Sequence, residues 1–205
     1  MKNILAFGDS NTYGYRPEDG SRYAYEERWT GILANKLEAH DYRLIEEGLV
    51  GRTTVFEDSV RPGRKGSDFL VPLIDSHGPV DTLVLMLGTN DCKTLYKASP
   101  QVIGMGIEKL IKQAKQFKPD LSIVLVSPIH LGEGVWEDDF DPEFNRESVE
   151  TSKRLKSVYR KIADTYDCRF LAASDYAEPS EADREHLTIQ GHQALADAIY
   201  ETLIA

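Results

Sequence analysis

The apolar run over residues 82–87 constrains the fold of this chain more than any other segment. Its residues, Thr-Leu-Val-Leu-Met-Leu, show no alternation between polar and apolar side chains, and Gly88 ends the run. A continuous apolar run of this length is typical of a parallel strand that helices cover on both faces. We therefore expect a parallel sheet that lies between layers of helices.

Other apolar patterns predict the remaining elements of this sheet. Further buried strands are predicted at residues 2–7, 43–47, 121–126 and 169–173. Apolar residues at helical spacing predict helices at 25–39, 67–76, 101–117, 147–166 and 189–204. Strands that alternate with helices in this way imply an α/β fold with a mostly parallel sheet of about five strands.

The composition excludes several classes of protein. The chain has 205 residues with no linker, repeat or low-complexity tract, which predicts a single domain over residues 1–205. A net charge of −10 would repel phosphate backbones and argues against nucleic-acid binding. Neither a membrane span nor a signal-peptide core is recognisable, so a soluble cytoplasmic protein is expected. Cys92 and Cys168 are isolated in sequence and suggest neither a metal site nor a disulfide.

Functional groups are expected just after the strands, because sites in open α/β sheets form beyond the carboxyl ends of the strands. Ser10, in the stretch FGDSN, follows the first predicted strand at the start of a helical turn. The free backbone N–H groups of such a turn would point at whatever the serine attacks. A serine that only caps a helix would occupy the same position, so Ser10 alone leaves both interpretations open.

A serine nucleophile needs a base, and the base needs a third group that fixes its tautomer. Of the five histidines, only His186 has an aspartate three residues before it, Asp183. On one irregular turn this spacing brings the carboxylate to Nδ1 and leaves Nε2 for Ser10. The pair directly precedes the last helix, at the same edge of the sheet as Ser10. A surface turn is the alternative when the pair is taken alone.

Acyl transfer also needs hydrogen-bond donors that point at the developing oxyanion. Gly51 follows the second strand, and its backbone N–H can approach a ligand closely because glycine has no side chain. Asn90 follows the third strand and offers a side-chain amide. With the N–H of Ser10 they would form a hole of three donors. An ordinary turn glycine and turn asparagine are the alternatives for each residue taken alone.

Three further residues are candidates for binding the substrate. Asn11 follows the serine, His130 follows the fourth strand, and Trp136 lies in a long acidic connection over residues 131–146. Connections of this length inside a compact domain are often lids or binding loops. Packing within the protein is the alternative for His130 and Trp136.

The blocks GDSN with Ser10, EGLVGRTT with Gly51, MLGTND with Asn90 and DREH with His186 together resemble those of the SGNH hydrolases, also called GDSL esterases. The four blocks occur in the order of that family. The longer phrases GLVGRTT and MLGTNDCK look like its bacterial arylesterase and acyltransferase branch. Asn11 stands where the name GDSL has leucine, a departure that leaves the serine in place.

The resemblance implies a three-layer α/β/α sandwich like flavodoxin, with strand order 2-1-3-4-5, and a reaction without metal or cofactor. It assigns Ser10 as the nucleophile, His186 as the general base and Asp183 as the acid that orients it. Gly51 and Asn90 become the oxyanion donors beside the N–H of Ser10. The resemblance also makes a homo-oligomer plausible. The net charge and the lack of a membrane span, in turn, predict neither a nucleic-acid nor a membrane partner.

Small esters are the expected substrates. The G-x-S-x-G elbow is absent, because Thr12 occupies the position of its second glycine. The nucleophile should therefore lie in a shallow cleft and act on aryl or alkyl acetates, with transfer of the acyl group to alcohols as a further outcome. A carbohydrate O-acetyl esterase with the same residues is one alternative. A non-catalytic flavodoxin-like protein that binds a small ligand is the other.

Overall fold

The computed structural model describes residues 1–204 and contains one parallel sheet of five strands. The strands are β1 (Lys2–Gly8), β2 (Tyr42–Gly48), β3 (Thr82–Met86), β4 (Ser122–Ser127) and β5 (Arg169–Ala172). They lie in the order β2-β1-β3-β4-β5, and each neighbouring pair is parallel. The α/β class and the strand order implied by the family resemblance are confirmed.

Six helices accompany the strands in the described residues. They are α1 (Ser10–Tyr13), α2 (Trp29–Leu37), α3 (Gly66–Ser76), α4 (Pro100–Phe117), α5 (Arg146–Tyr166) and α6 (Ile189–Ile204). Short 3₁₀ turns cover Glu38–His40, Asn90–Cys92 and Ala173–Asp175.

The second helix is shorter than the predicted 25–39. It begins at Trp29 because Arg28 has an extended backbone, with φ −87° and ψ 147°. The Arg28 guanidinium is held at this point by Glu46 of β2, with Nε 2.7 Å from Oε1. A tertiary contact therefore sets the start of this helix, and apolar spacing alone could not reveal it.

Alternate residues of the central strands pack into two separate cores. Leu83 and Leu85 of β3 face the core formed with α3, α4 and α5. Val84 and Met86 of the same strand face the core formed with α2 and α6. Because successive side chains of a strand point to opposite faces, a strand covered on both faces is apolar throughout. This packing explains the uninterrupted run from which the fold was predicted.

The topology brings the ends of several strands to one edge of the sheet. The segments after β1, β2 and β3 place Ser10, Gly51 and Asn90 at this edge, and the turn before α6 places His186 there.

Within residues 1–204, no helix combines the length and apolarity needed to cross a membrane.

Candidate active site

Ser10 is the first residue of α1, and a different residue caps that helix. The side chain of Asp9 accepts a hydrogen bond from the N–H of Asn11 at 3.1 Å. The side chain of Ser10 is thereby free of the capping role, and the residue is 2% exposed. The turn folds back tightly on β1, since a Cβ on Gly8 would collide with the Thr12 side chain and the carbonyl oxygen of Met86.

A chain of hydrogen bonds joins Ser10, His186 and Asp183. Nε2 of His186 is 2.8 Å from Oγ of Ser10, and Nδ1 is 2.6 Å from Oδ2 of Asp183. The other carboxylate oxygen of Asp183 accepts the backbone N–H groups of Glu185 at 3.0 Å and His186 at 2.9 Å. A carboxylate can only accept, so the hydrogen of the imidazole lies on Nδ1 and the lone pair of Nε2 faces the serine.

The charges around the imidazole favour its protonated form. Burial lowers the pKa of His186, but the charges of Glu185 and Asp183 and the hydrogen bond to Asp183 outweigh burial and raise the pKa. Burial alone would raise the pKa of Asp183. The hydrogen bond and charge of His186, together with the two backbone N–H groups, outweigh burial and lower the pKa of Asp183 overall. The arrangement therefore suits a base that becomes positively charged during a reaction.

Three groups near the Ser10 hydroxyl can donate hydrogen bonds to an oxyanion: the backbone N–H groups of Ser10 and Gly51 and the side-chain amide of Asn90. Gly51 has φ +81°, a conformation that side chains disfavour, and it lines the same cavity as Ser10 and Asn90. One hydrogen of the Asn90 amide is donated to the carbonyl oxygen of Arg52 at 3.1 Å, which leaves the second hydrogen free. Within residues 1–204, the backbone N–H groups of Ser10 and Gly51 have no hydrogen-bond acceptor in the protein.

Buried polar groups tie the loops of this site together. The Arg52 guanidinium donates to the carbonyl oxygens of Gly8, at 2.9 Å, and Glu47. The Asp91 carboxylate accepts the N–H of Thr54 at 3.1 Å and also its hydroxyl group. Burial raises the pKa of Asp91 to about 6. These contacts hold the loops after β1, β2 and β3 in one arrangement and so position the donors.

The cleft at Ser10 is small and strongly polar. Its volume is about 130 Å³. Besides Ser10, Gly51, Asn90 and His186, its lining consists of Tyr15, Val50, Arg61, Lys93, Asp141 and Glu185. The Tyr15 ring lies over the imidazole of His186, with ring centroids 4.3 Å apart.

Two cations of the lining share one acidic partner. The Arg61 guanidinium contacts Asp58 at 2.9 Å and Glu143 at 2.9 Å, and the buried Lys93 ammonium also contacts Glu143. Arg61, Glu185 and Lys93 are not among the site residues predicted from the sequence. Glu185 nevertheless lies in the block DREH, and Lys93 ends the phrase MLGTNDCK.

The three residues predicted to bind substrate lie outside this lining. The Asn11 amide accepts the N–H of Leu187 at 2.9 Å and donates to the carbonyl oxygen of Glu185 at 3.4 Å, so it fastens the histidine turn to α1. Trp136, within the acidic connection, packs against the core formed with α3, α4 and α5. His130 is half-buried, and burial lowers its pKa. The acidic connection instead contributes Asp141 to the cleft, and no pattern in the sequence distinguishes this residue from the other acidic residues of the connection.

His192 lies close to this site without lining the cleft. It is completely buried on α6, and its Nδ1 accepts the backbone N–H of Trp29 at 3.2 Å. Burial lowers the pKa of His192 to about 3, so the ring is neutral at ordinary pH. The role of His192 is to pack against the start of α2.

Comparisons with known proteins identify a family and several solved structures to which this chain is similar. The model of the GDSL-like lipase/acylhydrolase family matches residues 6–194. Est24, a carbohydrate acetylesterase from Sinorhizobium meliloti, is 33% identical with a TM-score of 0.91, and the match covers 100% of this chain and 99% of that one. The aryl esterase of M. smegmatis is 32% identical with a TM-score of 0.90, covering 100% and 99%. A comparison with curated protein sequences found no match.

Proposed function

Because this chain belongs to the GDSL-like lipase/acylhydrolase family and is a carboxylic ester hydrolase, we propose that it cleaves small aryl or alkyl acetates through an acyl intermediate on Ser10. The observation that carries the proposal is the continuous hydrogen-bonded chain from Ser10 Oγ through His186 to Asp183. It lies beside three donors, which are the N–H groups of Ser10 and Gly51 and the Asn90 amide.

The proposed mechanism has two steps. Ser10 Oγ attacks the ester carbonyl carbon while Nε2 of His186 takes the hydroxyl proton, and the three donors stabilise the oxyanion. Collapse of this intermediate expels the alcohol, which receives the proton from Nε2, and leaves an acyl-serine. Water then attacks the acyl carbon by the same route and releases the carboxylic acid. Another alcohol in place of water would give transfer of the acyl group.

The size of the cleft supports a short acyl group. A volume of about 130 Å³ is well below the roughly 300–1,000 Å³ of clefts that enclose drug-sized ligands. An acetyl group fits such a space beside the oxyanion donors, whereas a long acyl chain would have to leave the cleft. Acetates should therefore be better substrates than long-chain esters of the same alcohol.

Covalent labelling tests the proposal directly. The protein is treated with a fluorophosphonate probe and analysed by intact mass, and turnover of 4-nitrophenyl acetate is measured in parallel. Ser10→Ala should lose both the adduct and turnover, and His186→Ala should lose turnover. Ser157→Ala, a change at an exposed serine of α5, is the matched control and should keep both. Absence of an adduct, with turnover at the background rate, would instead support a non-catalytic binding protein.

A carbohydrate O-acetyl esterase is the second candidate function. The charged side chains of the lining, Arg61, Lys93, Asp141 and Glu185, offer hydrogen-bond partners for the hydroxyl groups of a sugar. The similarity to Est24 also supports it. Initial rates on a panel of acetylated sugars, compared with 4-nitrophenyl acetate and butyl acetate, distinguish the two candidates. A higher kcat/KM on the sugar acetates would favour the second.

A further inference from the structure

The carboxyl group of Glu185 lies beside the nitrogen that moves the proton. Its Oε1 is 3.9 Å from Nε2 of His186, and the residue is 8% exposed. Within residues 1–204, no protein group donates a hydrogen bond to this carboxyl group, whereas the carboxylate of Asp183 accepts three. The acceptor sites of Glu185 are therefore free for a molecule in the cleft.

The spacing of Glu185 and His186 suits one oxygen atom that contacts both. A separation of 3.9 Å is too long for a direct hydrogen bond. For an oxygen placed about 2.8 Å from each atom, the usual hydrogen-bond length, the angle from Nε2 through that oxygen to Oε1 would be about 90°. That angle is close to the angle between the two O–H bonds of water. A water molecule can thus donate one hydrogen to Nε2 and the other to Oε1.

We propose that Glu185 selects the molecule that attacks the acyl-Ser10 intermediate, favouring water and vicinal diols over alcohols with a single hydroxyl group. The inference rests on the proposed function, since it requires the acyl intermediate. Water supplies two O–H groups, and a vicinal diol supplies a second hydroxyl group on the neighbouring carbon. A simple alcohol has only the hydrogen that Nε2 removes, and its alkyl group would lie against the carboxyl group and desolvate it.

Glu185 contacts the attacking molecule and takes no proton from it. The attacking oxygen forms a bond to the acyl carbon while its proton passes to Nε2 of His186. The bond from the acyl carbon to Ser10 Oγ then breaks, and Oγ takes that proton. Water yields a carboxylic acid, and an alcohol yields a new ester. Burial raises the pKa of Glu185, but a protonated carboxyl group keeps an acceptor oxygen, so the contact survives in both forms.

Product partitioning tests this selection. The protein turns over 4-nitrophenyl acetate in the presence of either ethylene glycol or 1-propanol at equal concentration, and free acetate and the new acetate ester are quantified. The two alcohols are similar in size and differ by a hydroxyl in place of a methyl group. Acetate and ester form from the same intermediate, so their ratio is independent of the acylation rate and of the amount of folded protein.

Two variants make the test specific to Glu185. Glu185→Met removes the acceptor and keeps the length of the side chain. Glu181→Met makes the same substitution at an exposed glutamate of the same turn, outside the lining of the cleft. We expect the wild type to prefer glycol to propanol about tenfold, the effect of one hydrogen bond to a charged group.

The outcomes separate the inference from the proposed function. Glu185→Met should lose the preference for glycol and raise the ester-to-acetate ratio with propanol about tenfold, and Glu181→Met should match the wild type. Equal ratios in the wild type and Glu185→Met, or an equal change in Glu181→Met, would overturn the inference and leave the esterase in place. A wild type that forms no acetate at all would overturn the proposed function and the inference together.

Discussion

Replacing Asp183 by asparagine should remove most of the activity and leave the histidine turn folded. In the wild type, one carboxylate oxygen accepts the N–H groups of Glu185 and His186 at 3.0 and 2.9 Å, and the other accepts Nδ1–H at 2.6 Å. Asparagine keeps an oxygen for the two backbone donors. Its amide nitrogen, however, would face Nδ1 and can only donate, so the imidazole would carry its hydrogen on Nε2. That nitrogen could no longer take the proton of Ser10.

The expected loss of activity follows from the wrong tautomer of His186. We expect kcat to fall about 10⁴-fold, which corresponds to about 5 kcal/mol of transition-state stabilisation. The free energy of unfolding should fall by only about 1 kcal/mol, because the two backbone hydrogen bonds remain. Asp183→Ala is the matched control. It leaves both backbone donors without an acceptor and should lower the free energy of unfolding by a further ~1–3 kcal/mol at a similar loss of kcat.

Steady-state kinetics on 4-nitrophenyl acetate, combined with urea denaturation, measure both effects. The pH profile adds an independent check. His186 must be neutral to act as a base, and the charge of Asp183 helps to raise its pKa. Without that charge the pKa falls, so the acidic limb of kcat/KM should move to lower pH in the asparagine variant. A kcat within tenfold of the wild type would refute the role assigned to Asp183.

Three further predictions concern the oxyanion donors and the buried polar groups. Asn90→Ala should lower kcat on 4-nitrophenyl acetate about 10²–10³-fold, and an unchanged kcat would remove this residue from the oxyanion hole. Burial raises the pKa of Asp91 from 3.8 to about 6. Between these pH values the folded state therefore binds more protons than the unfolded chain, so the free energy of unfolding of the wild type falls as pH rises. Asp91→Asn should therefore gain stability relative to the wild type across this window in urea denaturation, and a difference independent of pH would contradict the assignment. His192→Leu leaves the N–H of Trp29 without its acceptor and should cost about 1–3 kcal/mol of stability with Ser10 still labelled; an unchanged urea midpoint would count against that hydrogen bond.

Local pattern and strand-end placement predicted the α/β class and selected the residues of the hydrogen-bonded chain as candidates, whereas the strand order and the residue roles came from the family resemblance. Residues 82–87 are apolar throughout because helices cover β3 on both faces, and this requirement is visible in the sequence itself. The parallel strands place the residues that follow them at one edge of the sheet, which is why Ser10 and Asn90 could be selected from their positions in the sequence alone. Asp183 and His186 lie on one short turn, so their contact depends mainly on local spacing.

Which residues line the walls of the cleft depends on the tertiary structure alone. Tyr15, Arg61 and Asp141 come from three separate loops, and their positions depend on contacts such as the ion pairs of Arg61 with Asp58 and Glu143. Asn11 was expected in the pocket, yet its amide faces the histidine turn, because the first turn of α1 directs it there. A strand or helix pattern repeats over many residues and can be read locally. The side chains that surround a bound molecule share no such repeat, since only the packing of distant loops brings them together.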